Sequence, residues 1–246
     1  EAHGTVEGSA VDAGAKARCY SRPVEDCAGA APVPAPWQEC YAAGNMVRAL
    51  VGGDYITSDA GDNNQSTVFM SLIAQAGGKP FTVDGEKIGI DLTGDAGTRK
   101  TVNYWQKMID EGLVNTKVSS WSDEWNRGLG DGTIASLIIG AWMPNNLLSG
   151  APKASGNFRI ATIPQWESGE NVNSENGGSS LVMIKGTKNK DAAWKFMDYV
   201  CHDSKGIKAR IDAGAFPADK NTLKASWFLS GNDKLTTYFG GQQYNK

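Results

Sequence analysis

Histidine and cysteine are scarce in this chain. Its 246 residues hold two histidines, His3 and His202, and four cysteines. No Cys-x-x-Cys pair occurs and no histidine set stands beside the cysteines at 19, 27, 40 and 201, so no metal-ligand pattern is present. Two histidines and no Gly-x-Ser-x-Gly elbow leave poor material for a nucleophilic triad. A basic excess is also missing. With 24 Lys and Arg against 27 Asp and Glu the net charge is -3, which argues against a nucleic-acid partner, since phosphate neutralisation needs clustered cations. No apolar run approaches the roughly 20 residues that span a bilayer, and no charged-then-apolar signal segment opens the chain. Acidic residues are plentiful, yet none stands in an apolar setting that would raise its pKa for acid catalysis. No catalytic residue, metal or cofactor is therefore expected.

Hydrophobic residues make up 40% of the chain, enough for one sizeable domain or two lobes. Residues 1–35 are rich in Ala, Gly, Val and Pro, lack either hydrophobic period, and read as irregular. A disulfide among Cys19, Cys27 and Cys40 stays open, because sequence does not fix pairing. Cys201 falls in a helical pattern and reads as packed.

From Pro36 the pattern becomes regular. One helix carries Trp37 to Leu50 and stops at Gly52 and Gly53; a second runs from Thr67 to Ala76. Phe81–Val83 and Lys87–Ile90 flank Asp84, Gly85 and Glu86 as a small hairpin. After Thr93, Val102, Trp105, Met108 or Ile109, and Leu113 recur as an apolar stripe. Ser122 suits an N-cap, with Asp123 and Glu124 where the helix dipole favours negative charge. Ile134–Ile139 lacks alternation and predicts a strand covered on both faces. Phe158–Ile163 and Ser180–Ile184 are further strands, the latter buried, and a helix from Asn189 or Lys190 turns Ala193, Trp194, Met197 and Val200 inward. Gly128–Gly132 precedes a strand, so it is a turn and offers no helix N-terminus to phosphate. No internal repeat is visible.

Trp142 is the leading site candidate. Gly140 ends the strand and Pro144 suits the first turn of a helix, so the indole sits where a strand's carboxyl end hands over to a helix, an edge at which α/β sheets bind ligands. An indole face fits the C–H face of a sugar and its N–H finds a polar partner; ordinary core is the competing account. Trp105, Trp125 and Trp194 lie on amphipathic helices and read as core. Trp121 and Trp166 lie in polar loops, where capping the fold is preferred over touching a ligand. Asp62, Asn63, Asn64 and Gln65 offer carboxylate and amide groups to hydroxyls, or cap a helix. Asn64-Gln65-Ser66 fits a glycosylation sequon. Gly177, Gly178 and Ser179 permit close backbone approach or form a plain turn.

The order GLGDGTIASLIIGAWMPNNL followed by GGSSLVMIKGTKNKDAAWKFMDYV resembles the extracellular solute-binding proteins of carbohydrate ABC transporters, the maltose-binding-protein-like family. The resemblance covers about Pro36 to Lys246. It implies an α/β, type II periplasmic-binding fold, mainly one lobe plus part of the second. Residues 36–176 would form the carboxy-terminal-type lobe, 177–223 a segment crossing into the other lobe, and 224–246 a helical return, with 1–35 an irregular or unrelated leader. It further implies a non-enzymatic, monomeric sugar binder serving membrane permease subunits, in the periplasm or as a cell-surface lipoprotein. Trp142 would stack on the sugar, Asn64, Gln65 and Asp62 would contact hydroxyls, and Gly178 and Ser179 would lie at the cleft.

Family members are longer, and no counterpart of their amino-terminal lobe precedes Pro36. The chain therefore reads as truncated at both ends, with 1–35 compatible with a shifted frame or a fusion. Each lost buried hydrogen bond is worth about 0.5–1.5 kcal/mol, which predicts weak or undetectable binding by this chain alone. A glycan-acting hydrolase domain and a fragment without function are the rival readings.

Overall fold

In the computed structural model of the protein, residues 8–21, 36–50 and 53–243 are described, the side chains of 8–19 and 63–65 excepted. A strand, β1, occupies Gly8–Ser21, which corrects the expectation that 1–35 is irregular throughout. Then follow α1 (Trp37–Arg48), β2 (Thr57–Ser58), α2 (Asn63–Gln75), the hairpin of β3 (Phe81–Asp84) and β4 (Lys87–Ile90), α3 (Ala96–Asp110), β5 (Val114–Asn115) and α4 (Asp123–Asp131). The chain continues through β6 (Ser136–Gly140), α5 (Met143–Gly150), β7 (Phe158–Thr162), β8 (Glu175–Val182), α6 (Lys190–His202), α7 (Ser204–Asp212), α8 (Ser226–Leu229) and α9 (Asp233–Tyr238).

β1 is central to a four-stranded sheet. Its Lys16–Tyr20 stretch pairs antiparallel with β6 on one edge, Ala17–Ser21 pairs with β7 on the other, and Gly8–Ala15 pairs with β8 across two register shifts. Alanine and glycine are poor strand formers by propensity. What makes this stretch a strand is the ladder, which satisfies backbone donors and acceptors along both edges.

β6 is buried along its whole length, as the unalternating run predicts, and its two faces feed two cores. Leu137 and Ile139 join Trp125, Leu129, Met143, Phe158 and Tyr238. Ala135, just before the strand, and Ile138 join Trp37, Val47, Ile56, Trp105 and Leu113. Trp166 closes the second core by packing on Trp37 and Tyr104, each with ring centroids 5.5 Å apart. Its loop aromatic thus caps the fold.

Two helix ends follow their sequence signals, whereas Gly128–Asp131, expected as part of a turn, belongs to α4. Ser122 Oγ accepts from the Trp125 N–H of α4 at 3.1 Å, and Gly132 ends that helix in the left-handed region at φ 94°. Asp95 caps α3 through the Thr98 N–H at 2.7 Å. On α3 the buried face is Thr98, Thr101, Trp105 and Met108, while Val102 is exposed. The predicted stripe is thereby shifted: the Thr98 hydroxyl donates to Asp95 and the Thr101 hydroxyl to the Leu72 carbonyl of α2, so both can face inward.

Two expectations of burial are corrected. β8 pairs with β1 alone, and of its residues only Asn176 is buried; Val182 and, beyond the strand, Ile184 are 55% and 77% exposed. On α6 the inward residues are Met197 and Cys201, whereas Trp194 is 44% exposed. An apolar stripe states which residues share a face, not whether another element covers it. Cys201 is packed as expected and Cys40 is buried on α1; the pairing of Cys27 lies outside the described residues.

Candidate functional site

Gly140 is the hinge of the site. β6 ends there, Trp142 takes the N-cap position of α5, and Pro144 falls in that helix's first turn, where its missing N–H costs nothing. The short turn folds the indole back onto Gly140. A Cβ at Gly140 would stand 2.3 Å from Trp142 Nε1 and 2.8 and 2.9 Å from Cε2 and Cδ1. Those distances set Gly140 against the Nε1 edge of the ring. Trp142 Nε1 donates to the Asn176 carbonyl of β8 at 3.3 Å, which ties the indole's edge to the neighbouring strand.

Trp142 also meets Trp121, stacked at a centroid distance of 5.8 Å and an interplanar angle of 24°. Trp121 has φ 68° and is the one non-glycine residue in the left-handed region among the described residues. A bulky side chain there is costly and persists only when its surroundings over-determine it. Both flanks do so. The Ser120 N–H donates to Asp62 Oδ2 at 3.0 Å, and Ser122 is committed to capping α4. Trp121 also leans on Trp125 at 5.3 Å.

Beneath these rings lies a cavity of about 200 Å³. Trp105, Trp121, Trp125 and Trp142 form its aromatic wall, with Val68 and the β6 residues Leu137, Ile138 and Ile139 behind them. Thr57, Ser58, Thr67, Ser120 and the Asn176–Gly177 corner supply polar groups. Two of the indoles are fixed by their N–H groups: Trp125 Nε1 donates to Ser58 Oγ at 2.9 Å, and Trp105 Nε1 to Asp59 Oδ2 at 2.7 Å. Among the described residues no carboxylate or cation lines this cavity, and no group of three His, Cys, Asp or Glu comes together. The carboxylates with displaced titration lie elsewhere. Burial and then Asp131 raise Asp54, while hydrogen bonds lower Asp95 and Asp219. Flat aromatic walls with neutral hydroxyl and amide groups suit a ligand that is polar at its edges and apolar on its face.

Of the residues expected at a site, Trp142 lines the cavity. Asp62 is set behind it, holding the loop that carries Trp121. Asn64 and Gln65 fall in the first turn of α2, which begins four residues before the predicted Thr67, and their side chains lie outside the described residues. Gly178 and Ser179 pair with Ala13 and Asp12 in the β1–β8 ladder; the preceding residues, Asn176 and Gly177, line the cavity instead. Trp121, for which capping the fold was preferred over touching a ligand, lines the cavity, and Thr57, Ser58, Thr67 and Ser120 are members that the sequence did not single out. The signal for Trp121 was its position directly before a capping serine, in a loop with no apolar period to bury it.

A family model described as bacterial extracellular solute-binding protein matches residues 28–201. The chain is 25% identical over 205 residues to an arabinooligosaccharide-binding protein of Bacillus subtilis strain 168, a match that covers 82% of this chain and 46% of that one. A solved structure of an ABC-transporter-associated binding protein from B. animalis subsp. lactis, in complex with beta-1,6-galactobiose, is 42% identical. It superposes with a TM-score of 0.87 over 100% of this chain and 61% of its own. The galacto-N-biose-/lacto-N-biose I-binding protein of Bifidobacterium longum shares the fold, with a TM-score of 0.77, at 21% identity over 99% of this chain and 57% of its own. The chain spans about half the length of the curated relatives it matches. These neighbours have the α/β, type II periplasmic-binding fold, of which this chain carries mainly one lobe plus part of the second.

Proposed function

The chain belongs to the bacterial extracellular solute-binding protein family, and from that premise we propose that it binds a small oligosaccharide and serves, within its whole protein, as the capture component of an ABC importer. The observation that carries this reading is the aromatic cavity: four indoles around a space of about 200 Å³ with neutral hydroxyl and amide groups at its rim. That volume lies below the roughly 300–1,000 Å³ that encloses a drug-sized ligand, so the site takes one sugar ring, with the remainder of the ligand outside. Trp142 is the platform, and Asn176 and Gly177 present backbone groups at the ring's edge. Asn64 and Gln65, at the start of α2, are proposed as hydroxyl partners and Gly178 and Ser179 as neighbours of the ligand's outer part.

The protein works outside the cytoplasmic membrane, as the family's description implies, and hands its ligand to membrane permease subunits. It acts as a monomer and without chemistry. Residues 36–176 are its principal lobe, with 177–223 and 224–246 completing the crossing and return. Glycoside hydrolysis uses two carboxylates about 5–10 Å apart, and the neutral cavity wall favours binding over turnover.

The test is a panel of disaccharides read by tryptophan fluorescence and by release of reducing ends. A saturable fluorescence change without new reducing ends is expected in the whole protein, and a weaker one in this chain alone. Reducing ends that accumulate with time, or a response that Trp142→Ala leaves intact, would overturn the reading.

A further inference from the structure

We propose that Trp121 is a plug on the sugar platform: it covers the face of Trp142 on which the sugar would lie, and the sugar must displace it. This rests on the reading of Trp142 as a platform and names the residue that sets its selectivity.

Gly140 crowds the Nε1 edge of Trp142, where a Cβ would stand 2.3 Å from that nitrogen. Across a face of Trp142, Trp121 lies nearly parallel at 5.8 Å between centroids, which is ordinary aromatic stacking. A sugar ring sandwiched between two indoles needs a van der Waals layer on each side of it, about 3.5–4.0 Å each. Two rings 5.8 Å apart cannot provide both. A sugar lies on the covered face only when Trp121 leaves it.

Trp121 is built to leave cheaply. Its side chain is 43% exposed, so it can swing into solvent without opening a core. Its backbone stays where Asp62 and the Ser122 cap hold it, so the loop keeps its shape and the ring moves by side-chain rotation alone. Trp121 holds a positive φ of 68°; a conformation this unfavourable, held by two anchors, marks a position where strain serves function. A ligand must outcompete an indole for one flat surface. The plug thus selects sugars with a continuous C–H face and rejects small polyols that cannot cover the ring.

The experiment compares Trp121→Ala and Trp121→Gly with the parent chain by titration with a disaccharide and with glycerol. Heteronuclear NMR of the indole N–H groups is the readout, because it registers weak binding. Removing the plug is expected to tighten disaccharide binding by about two- to tenfold, the equivalent of one lost stacking contact, and to let glycerol perturb the Trp142 resonance. Disaccharide binding weakened in both variants would overturn the proposal, since Trp121 would then be a ligand contact. Binding unaffected by Trp142→Ala would instead overturn the platform reading itself.

Discussion

The Nε1 edge of the Trp142 indole packs so close to Gly140, two residues earlier in the chain, that a Cβ there would stand 2.3 Å from it. A glycine at the end of a fully buried strand is otherwise hard to justify, since it adds no packing and costs backbone entropy. Its use here is to let the ring fold back over the strand end. Gly140→Ala is therefore expected to push the ring off its seat and destabilise the chain by about 1–3 kcal/mol, the usual range for overpacking. A thermal melt together with the loss of the Trp142 to Asn176 N–H contact in NMR checks it.

Trp121 provides a test of backbone strain that does not involve ligand. In ordinary positions glycine is less stable than alanine by about 0.5–1 kcal/mol. At φ 68° the order is expected to reverse, with Trp121→Gly more stable than Trp121→Ala by about 1–2 kcal/mol. Both variants lose the same stacking contacts, so urea denaturation of the pair isolates the backbone term.

Ser58 anchors Trp125 by accepting its indole N–H at 2.9 Å in a buried setting. Ser58→Ala leaves that donor without its acceptor, at a cost of about 1–3 kcal/mol. For a chain of this size the melting temperature should fall by about 2–4 °C per kcal/mol. Calorimetric scanning of the variant measures it.

Acid sensitivity should pass through Asp95. Its carboxylate accepts from the Lys79 N–H, the Thr98 N–H and the Thr98 hydroxyl, and these bonds hold its pKa below the ordinary 3.8. A carboxylate with a lowered folded-state pKa contributes stability that is present above the unfolded value and lost as pH falls through the folded one. Asp95→Ala should therefore melt lower than the parent at neutral pH, with the gap narrowing below pH 3.8. Melting curves from neutral to strongly acid pH check the sign.

The elements with a strong period were legible in the sequence: β6 from its unbroken apolar run, α4 from Ser122 and its acidic first turn, and the β3–β4 hairpin from Asp84 to Glu86. The position of Trp142 between a strand end and a helix start, where it lines the cavity, was legible because a glycine and a proline bracket it. β1 was not, since its reason for being a strand is the pairing of its backbone with three distant partners. Trp194 and Val182 failed differently: their periods are real, but exposure depends on which elements lie opposite. Trp121 was read as a cap of the fold because positive φ leaves no mark on a residue type that normally avoids it, and its neighbours are anchored by Asp62, far away in sequence, and by the helix cap that follows.

The central claim is that a carbohydrate ring lies on Trp142. Titration of the labelled chain with a disaccharide, following the indole N–H resonances with that of Trp142 identified by its loss in Trp142→Phe, addresses it most directly. The account predicts that the Trp142 resonance moves first and furthest, followed by that of Trp121 as its ring is released. Shifts confined to outlying indoles such as Trp194 and Trp227, or no shift up to the ligand's solubility limit, would contradict it.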